Sequence, residues 1–239
     1  MIRITIFSVL GIGAAAFIYI GIPWIYARWL RLLLKLKATK LRFFALTFDD
    51  GPGSKLTPTI LRILAEHDAK VAFFPLGRNI AGREQLVRQM ASQGHEICSH
   101  GYDHLHYWKV SPVRAIKDIK RGWQAIDYAL GVNHGKYPFR PPNGKLNIVC
   151  LLYLLIRRVP IIYWTLDLGD TWDTEPHDYN RMALLAKKAG GAVAMAHDFD
   201  RTNDRVDRLV LESVRLALTM AKETGLEMAT VMQLLRRCK

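Results

Sequence analysis

The chain has 239 residues, half of them hydrophobic, which is enough for one domain with a substantial core. Its formal charge of +13 points to a polyanionic partner: nucleic acid, anionic lipid or an anionic substrate. Three widely spaced cysteines, Cys98, Cys150 and Cys238, argue against a disulfide framework, and together with the lack of an Asn-x-Ser/Thr sequon they agree with a reducing compartment.

In chain order, residues 4–26 come first, with no ionisable side chain except Tyr19 and Tyr26. A helix of this length spans roughly 30 Å of hydrocarbon. Tyr19, Trp24 and Tyr26 sit toward one end, where an interfacial aromatic belt forms. A cleaved signal peptide would have a shorter apolar run and a small-residue cleavage site. This run ends in Trp-Ile-Tyr-Ala-Arg-Trp, so residues 1–26 read as an uncleaved, single-pass transmembrane anchor. Residues 27–42 carry Arg28, Arg31, Lys35, Lys37, Lys40 and Arg42 with no acid, interleaved with Trp29 and six leucines. That pattern resembles a basic amphipathic segment on an anionic membrane surface. No recognition motif supports nucleic acid as the partner. Arg3 alone precedes the span and six basic residues follow it, so the positive-inside rule places the rest of the chain in the cytoplasm.

Residues 43–239 form the third unit. Apolar strands are expected at 43–48, 70–76, 95–98, 137–140, 160–166, 192–197 and 226–229, with helices between them. Thr57-Pro58 and Ser111-Pro112 supply caps and first-turn prolines. Ile116, Ile119, Trp123, Ile126 and Leu130 repeat at helical spacing, and Gly131 ends that helix. About seven strands alternating with helices argue for an α/β fold with a parallel sheet or barrel, whose chemistry gathers at the C-terminal strand ends. Residues 146–156 are apolar nearly all round and too short to span a bilayer. Two readings stand: a fully buried helix, or a helix that dips into the membrane beside the active site.

Five signals fall at strand ends. In Thr47-Phe48-Asp49-Asp50-Gly51-Pro52, two adjacent carboxylates raise each other's pKa unless a cation binds. One can bind a metal while its neighbour acts on a water as base. His100 and His104, four apart, can reach one metal, with His106 close enough to confuse the register. In Phe139-Arg140-Pro141-Pro142-Asn143-Gly144, Arg140 can pair with a carboxylate and the double proline can present a backbone N–H to a substrate oxygen. Trp164-Thr-Leu-Asp167-Leu-Gly-Asp170-Thr-Trp172 and the strand ending in His197-Asp198 complete the set. Taken singly, each also fits an ordinary turn or a structural histidine.

In this order, the five resemble the polysaccharide deacetylase family (carbohydrate esterase family 4, the nodulation-type chitooligosaccharide deacetylases) over about residues 43–235. The resemblance implies a distorted (β/α) barrel with about seven strands. It implies Asp49 as general base, and Asp50, His100 and His104 as the ligands of a divalent metal, zinc first, with cobalt or nickel accepted. It implies Arg140 as the residue that orients the base and the Asn143 N–H as oxyanion donor. His197 becomes the general acid, tuned by Asp170. The activity implied is removal of an acyl group from an amino sugar.

Four positions depart from the family pattern. Gly101 replaces a usual Ser or Thr, so a loop hydrogen bond is missing; Asn143 replaces a common Tyr; Cys98 replaces a frequent Gly; Trp172 comes one residue late, which blurs the choice between Asp167 and Asp170. None removes a ligand or the acid–base pair, so the expectation is activity on an altered substrate. The inward charge asymmetry and the apolar 146–156 helix suggest a lipid-linked amino sugar, acetylated or formylated. The rival substrate is extracytoplasmic peptidoglycan, chitooligosaccharide or exopolysaccharide; a different class of reading is a non-catalytic, metal-stabilised membrane scaffold. The oligomeric state is not legible.

Overall fold

The computed structural model describes residues 11, 13–170, 188 and 190–237. From Gly13 to Leu41 the chain is one helix, α1, with a π-turn at Phe17–Gly21 and regular geometry over Ile22–Leu41. It runs unbroken across residue 27, because Leu, Lys, Arg and Ala are all good helix formers. Ala27, Leu34 and Ala38 form a buried stripe that lays α1 on the domain. The approach is close: a side chain at Gly191 would collide with the Ala38 backbone. Trp29, Leu32 and Leu36 on the other faces stay exposed.

One residue after α1 the chain enters β1 (Phe43–Asp49). Then follow α2 (Leu56–Glu66), β2 (Ala72–Phe74), α3 (Gly77–Ile80), α4 (Glu84–Ser92), β3 (Glu96–Ile97) and α5 (Pro112–Leu130). The second half holds α6 (Ile148–Ile156), β4 (Leu166–Asp167), β5 (Ala192–His197), α7 (Asp204–Glu223), β6 (Glu227–Met228) and α8 (Val231–Arg236). The sheet order is β3-β2-β1-β5-β4, with β6 beside the start of β1, and every pairing is parallel.

Strand β1 is buried along its whole length, as a strand covered on both faces must be. Its two-residue period sends Phe44, Leu46 and Phe48 into one core cluster with α2 and α7. Phe43 and Ala45 face the other way, into a cluster with Phe74 and Phe139. By the same parity Thr47 and Asp49 point to that second side, so the pleat carries a carboxylate inward at the strand's C-terminal end.

The structure has six strands among the described residues, not seven. The expected strands at 137–140 and 160–166 shrink to single parallel bridges, Ser99 to Phe139 and Phe139 to Ile161, with Leu166–Asp167 alone continuing as β4. Pro138, Pro141 and Pro160 explain this, since proline has no N–H to extend a ladder.

Ser111 caps α5 as expected, accepting from the Arg114 N–H, and Gly131 ends it at φ 67°. The start of α2 is a correction. It begins at Leu56, and Thr57 does not cap it. The Asp200 carboxylate takes that role across the fold, accepting from the amides of Ser54 (2.6 Å), Lys55 (2.9 Å) and Leu56 (3.0 Å). Thr57 instead accepts from the Gly53 N–H at 2.8 Å and lies 2.7 Å from Asp198 Oδ2. A cap supplied from 144 residues away leaves no local signal. Replacing Asp200 by Ala should therefore destabilise the detergent-solubilised protein by about 1–3 kcal/mol, read as a lowered unfolding midpoint; an unchanged midpoint would show that water replaces the cap without loss.

Candidate active site

Asp49 ends β1 facing inward and is almost fully buried. A buried carboxylate needs a partner, and Arg140 provides it. Its Nη1 donates to Asp49 Oδ1 at 2.7 Å and to Thr47 Oγ1 at 2.8 Å. The guanidinium is fully buried and lies 4.0 Å from the Phe74 ring centroid. Burial lifts the Asp49 carboxyl above the usual carboxylate range, while Arg140 and then His197 pull against that rise.

The next residue, Asp50, takes a left-handed conformation at φ 69°. Its Oδ1 lies 3.6 Å from the Nε2 atoms of both His100 and His104. His100 Nδ1–H donates to the Arg140 carbonyl at 2.8 Å, which leaves Nε2 as the ring's acceptor. Burial drives the His100 imidazole down to about 3, so the ring is neutral. The ligand atoms of Asp50, His100 and His104 all lie within 4.8 Å of one another. Asp50 Oδ1 is buried and takes no hydrogen bond among the described residues. A neutral imidazole lone pair, a second imidazole and an unclaimed carboxylate oxygen converging in this way fit a divalent cation. His106 is outside the group; its ring meets the edge of Trp108.

The two histidines sit on a turned loop whose shape comes from α5. Asp118 accepts from the amides of Tyr102 (3.1 Å) and Asp103 (2.8 Å) and from the Tyr107 hydroxyl (2.8 Å). Gly101 adopts φ 83°, and a side chain there would collide with the Asp118 carboxylate. The hydrogen bonding that a Ser or Thr at 101 would supply is thus replaced from outside the loop. Asp118 falls on the buried stripe of α5, with Ala115, Ile119 and Gly122. A carboxylate on an apolar stripe was the signal that sequence reasoning missed.

On the other side of β1, strand β5 places His197 in register with Asp49. His197 Nδ1 lies 2.8 Å from Asp170 Oδ1, and the His197 backbone N–H donates to Asp170 Oδ2 at 2.7 Å. Burial works to lower the imidazole pKa, but the Asp170 hydrogen bond and charge outweigh it and hold it at about 9. Of the two aspartates, Asp170 is buried against His197, whereas Asp167 is exposed and accepts from the Gly169 N–H. Trp172 lies outside the described residues, as does Cys238. Cys98 packs in the core, where burial pushes its thiol well up.

Asn143 follows the double proline in a left-handed turn, φ 56°, with the Gly144 N–H bonded back to Pro141 at 2.9 Å. One wall near this loop comes from α1, which sequence reasoning placed on the lipid surface alone. The Arg31 guanidinium lies 4.5 Å from the Trp164 ring centroid, and Arg140 stands 5.9 Å from the same ring. A cleft of about 360 Å³ opens beside Asp50 and His104, bordered by Arg78, Asn79, Arg83 and Phe199.

A model of the family described as polysaccharide deacetylase matches residues 37–153. The chitooligosaccharide deacetylase of Sinorhizobium fredii (strain NBRC 101917 / NGR234) is 31% identical over 156 residues, 64% of this chain and 70% of that protein. This chain belongs to the polysaccharide deacetylase family. The peptidoglycan-N-acetylglucosamine deacetylase PgdA of Listeria monocytogenes is 31% identical over 198 residues, 83% of this chain. The chain spans only 40% of that relative's length. Among solved structures, the T48 deacetylase with substrate superposes with a TM-score of 0.67 at 27% identity, covering 82% of this chain and 91% of that one.

The cluster makes a direct prediction. The purified protein should bind one equivalent of Zn²⁺ or Co²⁺, and Asp50→Ala, His100→Ala or His104→Ala should each weaken binding by about a hundredfold or more, measured by competition with a chromophoric chelator. His106→Ala should leave affinity unchanged, and a loss there equal to that at His104 would reassign the ligand.

Proposed function

We propose that this chain is a metal-dependent hydrolase that removes an N-acyl group, acetyl or formyl, from an amino sugar held at a membrane. The observation that carries this reading is the register of β1 and β5, which sets Asp49, held by Arg140, level with His197, held by Asp170. His100 Nε2, from the cation cluster, lies 3.9 Å from Asp49 Oδ2. A stabilising scaffold needs no such acid–base pair.

A divalent cation on Asp50, His100 and His104, zinc or else cobalt or nickel, would supply Lewis acidity and lower the pKa of a water. Asp49 takes the proton of the attacking water; its raised pKa makes it a stronger base than a solvated carboxylate. Arg140 keeps that carboxylate oriented. The Asn143 N–H donates to the oxyanion that develops on the amide carbonyl. His197 is protonated at neutral pH and gives its proton to the leaving nitrogen, so the C–N bond breaks to a free amine and a carboxylic acid. We read the sheet as a distorted (β/α) barrel with this site at its C-terminal strand ends. Residues 1–26 would anchor it, supported by the apolar helix Gly13–Leu41, and the positive-inside asymmetry favours a cytoplasmic-facing domain.

Alkaline loss of activity should follow His197. Its folded pKa is about 9, so kcat/KM should fall tenfold per pH unit above that value, and Asp170→Asn should shift the limb to lower pH. Asp49→Asn should cost about a hundredfold or more in kcat with metal content unchanged. A flat alkaline profile would remove His197 from the acid role.

The relatives' names favour a second substrate reading, peptidoglycan or chitooligosaccharide, which would place the domain outside the cytoplasm. Solubilised enzyme with zinc or cobalt should release amine, with loss of acetyl or formyl mass, from N-acyl sugars on polyprenyl phosphate. Turnover of chitooligosaccharides or peptidoglycan fragments alone would establish the second reading.

A further inference from the structure

Helix α6 is neither fully buried nor isolated. Cys150, Leu151 and Leu154 face the core. Val149, Leu152, Leu155 and Ile156 line the opposite side, exposed by 39%, 49%, 41% and 80%. This side holds no charged residue between Lys145 and Arg157. Its neighbour explains what covers it. Helix α6 packs against the Phe17–Gly21 turn of α1 and against the helix that continues from it. Phe17 and Ile18 in that turn are themselves exposed, and they belong to the helix that is long and apolar enough to cross a membrane.

We propose that α6 is a second membrane-contact element, lying in the boundary between headgroups and acyl chains beside α1, with Val149, Leu152, Leu155 and Ile156 in the lipid. The inference rests on the anchor reading of α1 and carries it further. If the Phe17–Gly21 turn lies in the bilayer, an element packed on it is held at bilayer depth. The ends of α6 match that placement. Lys145 precedes it, Arg157 and Arg158 follow it, and the Lys120 ammonium stands 5.8 Å from the Tyr153 ring centroid. Such a basic rim suits anionic phosphates around an apolar strip. A second copy of the chain is a poorer occupant: nine residues make a helix only about 13.5 Å long, against the roughly 800 Å² per partner that a stable dimer buries.

The consequence falls on the site. Asn147 caps α6 and donates through Nδ2 to the Tyr107 carbonyl at 2.8 Å, and Trp108 Nε1–H donates to the Leu146 carbonyl at 2.8 Å. These bonds tie α6 to the loop that carries His100 and His104. Immersing α6 therefore sets the depth of the site, placing it at headgroup level, where a lipid-borne sugar lies.

The test uses the full chain in vesicles of phosphatidylcholine and phosphatidylglycerol with brominated acyl chains. An environment-sensitive fluorophore is placed by Ile18→Cys, Leu152→Cys, Ile156→Cys or Lys222→Cys, each in a Cys238→Ser background; Cys98 and Cys150 are buried. Blue-shifted emission and bromine quenching at 18, 152 and 156, with neither at 222 on α7, is the expected result. Quenching at 18 with 152 and 156 behaving like 222 would overturn the proposal and leave the anchor standing. No quenching at 18 either would overturn both. A blue shift at 152 that grows with protein concentration and is insensitive to bromine would assign the face to a second copy, which also overturns it.

Discussion

The contact on which this molecule depends is the buried ion pair between Arg140 and Asp49. Arg140 is fully buried and Asp49 nearly so, and each charge is compensated chiefly by the other. Removing one partner of such a pair typically costs about 3–5 kcal/mol, because the remaining charge is left uncompensated. The same arginine acts through its backbone. Its carbonyl accepts from His100 Nδ1, and its N–H donates to the Ser99 carbonyl at 2.9 Å. One residue thus orients the Asp49 carboxylate, fixes the His100 tautomer and bonds back to Ser99. The orientation of Asp49 and the tautomer of His100 are therefore coupled through Arg140.

A second constraint is the continuity of α1. A flexible tether would leave the domain free to tumble above the bilayer. Here one residue separates the helix from the central strand, and the Ala27–Leu34–Ala38 stripe clamps the helix to the domain. Arg31 then reaches Trp164 beside the Arg140 loop. The segment that looked like a membrane-surface element in sequence is also part of the wall around the chemistry. Part of its basic character, Arg31, serves contact with the domain.

Much of the site was legible because its residues come as short motifs at strand ends. Asp49, Asp50, His100, Arg140, Asp167 and His197 were expected at or just past strand ends; of these Asp167 stands exposed, and Asp170 takes the place beside His197. What was missed acts across the fold. Asp118 and Asp200 bind backbone amides far from them in sequence, and nothing in their local sequence marks a loop as their partner. Arg31 lay within a basic run whose average property hid its individual contact. The one lost strand and the one shortened strand have a local cause, since three prolines could have been weighed against the ladder they interrupt.

The sequence by itself determined that Thr47 and Asp49 share the face opposite Phe44, Leu46 and Phe48, because side chains alternate along a strand. It also determined the apolar N-terminal helix, since composition and length alone decide whether a helix can cross a bilayer. Only the tertiary structure decided which of Asp167 and Asp170 meets His197, and which of His104 and His106 joins His100. Residues two or three apart in a loop differ little in local pattern, and distance to a partner on another strand separates them. The exposed face of α6 was likewise decided in three dimensions: a helix apolar all round carries no internal mark of which side meets the core and which is left exposed.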